Sequence, residues 1–148
     1  MAHTWTWMTK YGSKILKGEA PDWEDDTIKI MILDNGHTPA PDTDEFIDDV
    51  SGDEVSGTGY TAGGATLDNA VVSETGASGF ASVDADDETI STVTFVNGLY
   101  LYFYKDTGTP ATSPIMGYVT LDVAKSPTAD DFLIQFDAVG VLKVTGVS

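Results

Sequence analysis

The sequence predicts a mainly β, single-domain fold: an antiparallel β-sandwich or barrel with jelly-roll or Greek-key-like connections and a short N-terminal helix. Roughly eight to nine short segments alternate apolar and polar residues, and turn-forming residues separate most of them. The chain has 148 residues and is 41% hydrophobic, which is enough for one core. It contains no cysteine, so no disulfide supports the fold. We expect residues 1–18 to form a helical anchoring segment and residues 19–148 to form the β-sandwich domain.

Residues 4–17 have the periodicity of a short helix. Their apolar side chains recur at spacings of one, three and four residues: Trp7, Met8, Tyr11 and Ile15. This spacing places them on one helix face. Lys14 and Lys17 fall in the last turn, where the helix dipole favours cations, and Gly18 suits the left-handed conformation that ends many helices. The pattern predicts a helix of about three turns, packed by its aromatic face.

Most of the remaining elements are predicted to be short strands. Residues 27–33 alternate with period two and are followed by an Asn-Gly turn over residues 34–37. A short helix is expected at residues 44–50, with Thr43 as its N-cap. Further strands are predicted at residues 65–67, 70–74, 80–84 and 89–95. Two final strands are predicted to close the chain as a hairpin: residues 132–137 and 141–145, joined by a Val139-Gly140 turn.

The strongest alternation lies in residues 99–104. One face carries Leu99, Leu101 and Phe103, and the opposite face carries Tyr100, Tyr102 and Tyr104. This pattern predicts a central strand, antiparallel to a partner strand at residues 115–123. Because both faces are apolar, each must be covered, either by this chain or by a partner subunit. The tyrosine face is therefore a candidate for core packing or for a protein interface.

A glycine-rich run covers residues 48–64. Four of its glycines crowd the second half of the run: Gly57, Gly59, Gly63 and Gly64. We expect the backbone to make tight bends there around the ring of Tyr60 before the next strand begins. The run does not match a phosphate-binding loop, since it lacks the terminal Lys-Ser or Lys-Thr. We interpret these glycines as architectural.

Charge limits the partners that the chain can bind. The net charge is −17, from 24 acidic residues against seven lysines and no arginine. Binding to nucleic acid through phosphate contacts requires clustered basic residues, so we predict no nucleic-acid partner. No segment approaches the length of apolar chain that spans a bilayer, so we predict no membrane partner. The charge is uneven, because residues 1–18 contain three of the lysines and no acid.

Few residues could carry catalysis. His37 is the one candidate general base besides His3, which lies close to the N-terminus, and its sequence context is that of an exposed turn. Two acidic clusters have the ligand types that calcium takes, but we favour solvated turn acids as their explanation: Asp42, Asp44, Glu45, Asp48 and Asp49, and separately Asp84, Asp86, Asp87 and Glu88. Paired carboxylates of a glycosidase are defined in space and leave no sequence signal. We predict no catalytic residue, no metal site and no cofactor.

Aromatic residues and one lysine are the candidate protein-interface residues. They are Trp5, Trp7, Tyr11, Lys14, Tyr60, Tyr100, Tyr102 and Tyr104. Aromatic side chains supply large contact area at low entropic cost, and the basic N-terminal segment opposes the charge of the remaining chain. A carbohydrate- or receptor-binding module could use the same rings for stacking.

Several segments together resemble a family of small structural virion proteins of tailed bacteriophages. They are the predicted N-terminal aromatic helix ending in Lys17-Gly18, Trp23, residues 25–29, residues 41–46, the run 48–64, residues 84–87, residues 104–108, Ser113-Pro114 and Gly117-Tyr118. The sequence departs from the family pattern at residues 88–90, where an aromatic often follows the acids.

The resemblance implies a non-enzymatic capsid decoration or cement protein on the capsid exterior, assembled in the host cytoplasm. Its implied partners are the major capsid protein and copies of itself, as a homo-oligomer. The alternatives are a tail, neck or fibre-base component, a carbohydrate- or receptor-binding β-module and, last, a glycosidase.

Overall fold

The computed structural model describes residues 4–75, 80–137 and 140–145. The protein is mainly β, with antiparallel sheets in a sandwich-like arrangement and one short helix, as the sequence predicts. The strands are β1 (Trp5–Trp7), β2 (Ile28–Asp34), β3 (Ala65–Thr66), β4 (Val71–Thr75), β5 (Phe80–Asp84), β6 (Glu88–Val93), β7 (Gly98–Lys105), β8 (Ile115–Lys125), β9 (Asp130–Ile134) and β10 (Leu142–Thr145), and the helix is α1 (Thr9–Lys17). Single 3₁₀ turns form at Ile47–Asp49, Ser51–Asp53 and Pro110–Thr112.

The largest sheet has five strands in the order β1-β8-β7-β2-β3, and every neighbouring pair is antiparallel. The predicted central strand, β7, is the middle strand, and its predicted partner β8 lies beside it. Two smaller sheets have the orders β10-β5-β4 and β6-β9. The register of the large sheet pairs Ile30 with Phe103, so the two apolar faces of β2 and β7 coincide.

Each face of the large sheet is covered by this chain. On the isoleucine face, the ring of Phe103 lies 5.0 Å from that of Trp5 and 6.5 Å from that of Trp23. Near the start of β7, a Cβ on Gly98 would come within 2.7 Å of the Phe95 ring, so that ring lies directly on the sheet. The tyrosine face is covered by residues 35–63, which contribute the buried side chains of His37, Ile47, Val50 and Val55.

Residues 5–7 form a strand and not the start of the helix. Trp5 pairs with Val119 and Trp7 with Gly117, so β1 is an edge strand of the large sheet. The Trp5 ring occupies the space above Gly117, where a Cβ would lie 2.4 Å from the ring. Helix α1 begins only at Thr9, and it ends as predicted at a left-handed Gly18 with φ of 72°.

Two other local predictions are wrong. Residues 44–50 form no α-helix with a Thr43 cap. Asp49 Oδ2 instead accepts the backbone N–H groups of Glu45 and Phe46, at 2.9 and 3.0 Å, and stabilises a single 3₁₀ turn. The last strand, β10, pairs with β5 and not with the strand that precedes it. Val139 of the predicted closing turn lies outside the described residues.

Candidate interaction surface

The tyrosine face of the large sheet is interior. Tyr102 is 0% exposed, and its ring stacks on that of Tyr118 with centroids 4.9 Å apart. The Tyr104 hydroxyl donates a 2.7 Å hydrogen bond to the carbonyl of Gly63, in the covering segment. Burial raises the pKa of both phenols well above the ordinary value, so they act as neutral hydrogen-bonding groups. Tyr102 and Tyr104, predicted as interface residues, have no surface available to a partner because the chain covers them.

His37 is buried, whereas the sequence predicts an exposed turn residue. It is 6% exposed, and its ring lies edge-on to those of Tyr100 and Tyr102. Its Nδ1 atom lies 2.8 Å from Asp53 Oδ2, and its Nε2 atom lies 2.9 Å from the Tyr102 hydroxyl. A neutral ring protonated on Nδ1 satisfies both contacts, since it donates to the carboxylate and accepts from the hydroxyl. Both ring nitrogens are therefore engaged in holding the covering segment to the sheet.

Glu54 and Tyr60 fasten the glycine-rich run to the edge of β2. Glu54 Oε1 accepts the Tyr60 hydroxyl at 2.8 Å and the backbone N–H of Gly63 at 2.7 Å. The Tyr60 hydroxyl oxygen in turn accepts a 3.1 Å hydrogen bond from the backbone N–H of Ile32, a β2 residue beyond those that pair with β3. Burial raises the pKa of Glu54, in spite of these hydrogen bonds, and it raises the pKa of Tyr60 still more strongly. The predicted anchoring ring is thus present, and it acts inside the molecule.

The N-terminal aromatic residues form one cluster against the isoleucine face. Trp7 is 37% exposed and stacks on Tyr11, with ring centroids 5.5 Å apart and planes 13° apart. Tyr11 is buried, and its hydroxyl accepts a 3.1 Å hydrogen bond from Trp23 Nε1. Burial raises the pKa of Tyr11. Trp5 Nε1 is buried without a hydrogen-bond partner among the described residues, so the Trp5 side chain contributes ring packing and shape.

Helix α1 presents charge and apolar area to solvent. Leu16 is 90% exposed, the most of any large hydrophobic side chain in the described parts of the chain. Lys10 and Lys17 are exposed, and neither forms an ion pair with another described residue. Lys14 differs, because its Nζ atom lies 2.9 Å from Glu45 Oε1 and packs over the ring of a neighbouring phenylalanine. The predicted interface residue Lys14 is thus committed to the chain's own structure, whereas Lys10 and Lys17 form no ion pair within the described part of the chain.

A shallow groove of about 260 Å³ runs beside the C-terminal end of α1. It is lined by Lys14, Glu19, Ala20, Pro21, Phe46, Lys105, Thr107, Thr112 and Pro114. Both of its lysines are already paired, since Lys105 Nζ lies 2.8 Å from Asp26 Oδ1 and Lys14 contacts Glu45. The groove therefore holds little uncompensated positive charge among the described residues.

The acidic cluster after β5 has structural partners in the described chain. Asp86 accepts a 2.6 Å hydrogen bond from the Asn69 side chain, and Asp87 accepts the backbone N–H of Phe136 at 2.9 Å. Glu88 accepts the backbone N–H of a loop residue at 3.0 Å. Within residues 4–75, 80–137 and 140–145, no group of three or more acids or histidines is arranged to hold a metal ion. No helix in the same ranges is long and apolar enough to cross a membrane.

The eight predicted interface residues thus fall into two groups. Trp5, Trp7, Tyr60, Tyr100 and Lys14 reach the surface in part, and Tyr11, Tyr102 and Tyr104 are buried. The sequence analysis missed Leu16 and treated Lys10 and Lys17 only as part of a basic segment. Leu16 lies off the helix face that carries Tyr11, and this misplaced apolar side chain was the available signal. A comparison with known proteins identifies no matching family, no matching curated protein and no matching solved structure.

Proposed function

We propose that this protein is a non-enzymatic structural component of a tailed-phage particle and that it decorates the exterior of the capsid. The starting point is the resemblance of its sequence segments to small virion proteins. In this role the protein binds the major capsid protein at many symmetry-related sites, where repetition compensates for modest affinity per copy. Bridging neighbouring capsid subunits buries apolar surface and opposes their separation.

The observation that carries the proposal is that residues in the segments resembling virion proteins shape the fold of this chain. Glu54 and Gly64 fix the glycine-rich run to the sheet. Asp106 accepts the backbone N–H of Gly108 at 2.8 Å and pairs with Lys29 at 3.0 Å, which shapes the turn after β7. Ser113 is 1% exposed, and its hydroxyl accepts a backbone N–H from the same turn. These residues shape the fold, as expected for a family of proteins that share one structural unit.

The surface is also compatible with a particle exterior. Residues 19–148 carry four lysines against 24 acids. Most of the molecule therefore repels other copies of this chain and other negatively charged surfaces. Exposed large hydrophobic side chains occur at several places on the described surface, including Trp7, Val96 and Val123, and they supply apolar area for a contact with the capsid. An extensively acidic surface opposes association between decorated particles.

The test is a protein-by-protein copy count on purified particles of a phage that encodes this chain, by quantitative mass spectrometry. A copy number comparable to that of the major capsid protein supports capsid decoration. A count of about a dozen or fewer, matching the rotational symmetry of a tail or neck, assigns the protein to those structures. Absence from the particle overturns the virion proposal, and glycan binding with and without a chelator then tests the binding-module alternative.

A further inference from the structure

One face of helix α1 combines a strongly exposed leucine with two lysines that have no ion pair to a described residue. We define the outer helix face as the four exposed residues that point away from Tyr11: Lys10, Ser13, Leu16 and Lys17. At about 100° per residue, Leu16 lies roughly 140° from Tyr11 around the helix axis, so it cannot reach the core. A leucine that is 90% exposed gains nothing from folding of the single chain.

The charge of this face is also uncompensated. Lys14 pairs with Glu45, which lies outside the helix. Lys10 and Lys17 have no acid within ion-pair distance among the described residues. The same molecule carries exposed carboxylates elsewhere, including Asp84, Asp86 and Asp87 at and after the end of β5. Each copy therefore displays a small cationic, apolar face and a separate, extensive acidic surface.

We propose that the outer helix face docks on the acidic surface of a second copy of this chain. Leu16 is buried at the contact, and Lys10 and Lys17 meet carboxylates of the neighbour. Because the two surfaces are different parts of the molecule, the contact is head-to-tail, and it closes into a ring or continues as an array. At physiological ionic strength the repulsion between two chains of charge −17 is screened beyond about 8 Å, while contacts at shorter range persist. This proposal does not rest on the proposed function.

The experiment measures the oligomeric state of the purified full chain by sedimentation velocity over a wide concentration range at physiological ionic strength. The wild-type chain is expected to self-associate. L16S removes the apolar contact without changing charge, and K10E reverses one charge. Lys10 is in the first turn of α1, where a carboxylate suits the helix dipole, so K10E does not weaken the helix. Each variant is expected to raise the dissociation constant by about tenfold or more.

Matched controls separate the face from general effects. K125E gives the same change in net charge at an exposed lysine of β8 that has no ion pair with a described residue. L133S removes an equally apolar side chain, 53% exposed, from β9. Both are expected to associate as the wild-type chain does. Thermal unfolding of the four variants verifies that each is folded.

Three results would overturn the proposal. A wild-type chain that stays monomeric at every concentration has no second copy on this face. Equal weakening by K10E and K125E would attribute association to net charge alone. A monomeric chain whose binding to purified particles is abolished by L16S would show that another protein occupies the face.

Discussion

The Nε2 atom of His37 lies 2.9 Å from the hydroxyl of Tyr102, and this contact ties the turn after β2 to the central strand. Tyr102 has no exposed surface, so its hydroxyl has no access to water. The opposite ring nitrogen contacts Asp53, which extends the connection to the second 3₁₀ turn. Three side chains thus hold the segment that covers the tyrosine face, and each depends on the others for its hydrogen bonds.

Replacing His37 with alanine is expected to lower the free energy of unfolding by about 2 to 4 kcal/mol, because it leaves a void and a buried hydroxyl without a partner. Urea unfolding measures the loss. Y102F should cost less in the H37A background than in the wild-type chain, since the hydroxyl has already lost its partner. The expected coupling is about 1 kcal/mol, and additive effects of the two substitutions would contradict the contact.

The Tyr60 hydroxyl is expected to matter more than that of another tyrosine in the fold. Y60F removes the acceptor of the Ile32 N–H and the donor to Glu54, and we expect it to cost about 1 to 3 kcal/mol. Y100F is the matched control, because the Tyr100 hydroxyl makes no hydrogen bond with a described residue. Its expected effect is within about 0.5 kcal/mol. Similar losses for the two variants in chemical denaturation would argue against the Tyr60 fastening.

The period-two pattern of side chains correctly predicted the strands that are packed on both faces. The predicted bounds of β2 and β7 differ from the structure by one residue at each end. The N-terminal error arose because two periodicities overlap there. Trp5 and Trp7 are two residues apart and share a sheet face, while Trp7 and Tyr11 are four apart and stack. Both spacings are meaningful, since a strand ends where the helix begins.

The features that the sequence could not predict depend on contacts between residues far apart in the chain. The partners of His37 lie 16 and 65 residues away, so no local pattern distinguishes this buried histidine from an exposed turn residue. The pairing of β10 with β5 likewise joins segments that are far apart in the chain. Lys10 and Lys17 were visible in the sequence, but whether a described acid pairs with them depends on which acids the fold brings near them.

The ionisation of Glu54 should lower the free energy of unfolding as the pH rises. Burial raises its pKa above the ordinary value of 4.5, so the folded chain keeps a proton that the unfolded chain has lost. The native state then binds more protons, and the free energy of unfolding decreases from pH 4.5 up to the folded-state pKa. In E54Q the amide oxygen can accept both hydrogen bonds without a charge, so this decrease should disappear. Denaturation curves of both proteins across this interval measure it, and parallel pH profiles would contradict the assignment.

The exposed Asp49 and the half-buried Asp106 should act in the opposite direction at lower pH. The backbone N–H of Phe46 holds the pKa of Asp49 below its ordinary value of 3.8, and the backbone N–H of Gly108 does the same for Asp106. These carboxylates stabilise the fold above pH 3.8, and their contribution is lost as pH falls through the folded-state pKa values. D49N is expected to flatten the acid limb of the stability profile, and an unchanged acid limb would count against the 3₁₀ turn.

Gly64 and Gly108 provide a matched pair that isolates close backbone approach from backbone conformation. Their φ angles are 80° and 81°, so alanine is strained to the same degree at either position. A Cβ at Gly64 would lie 1.9 Å from the carbonyl oxygen of Ile30, whereas a Cβ at Gly108 meets no atom within 4 Å. We expect G108A to cost about 1 kcal/mol and G64A about 3 kcal/mol or more, because only G64A forces β3 away from β2. Equal losses in urea unfolding would mean that β3 does not lie against β2 as the structure places it.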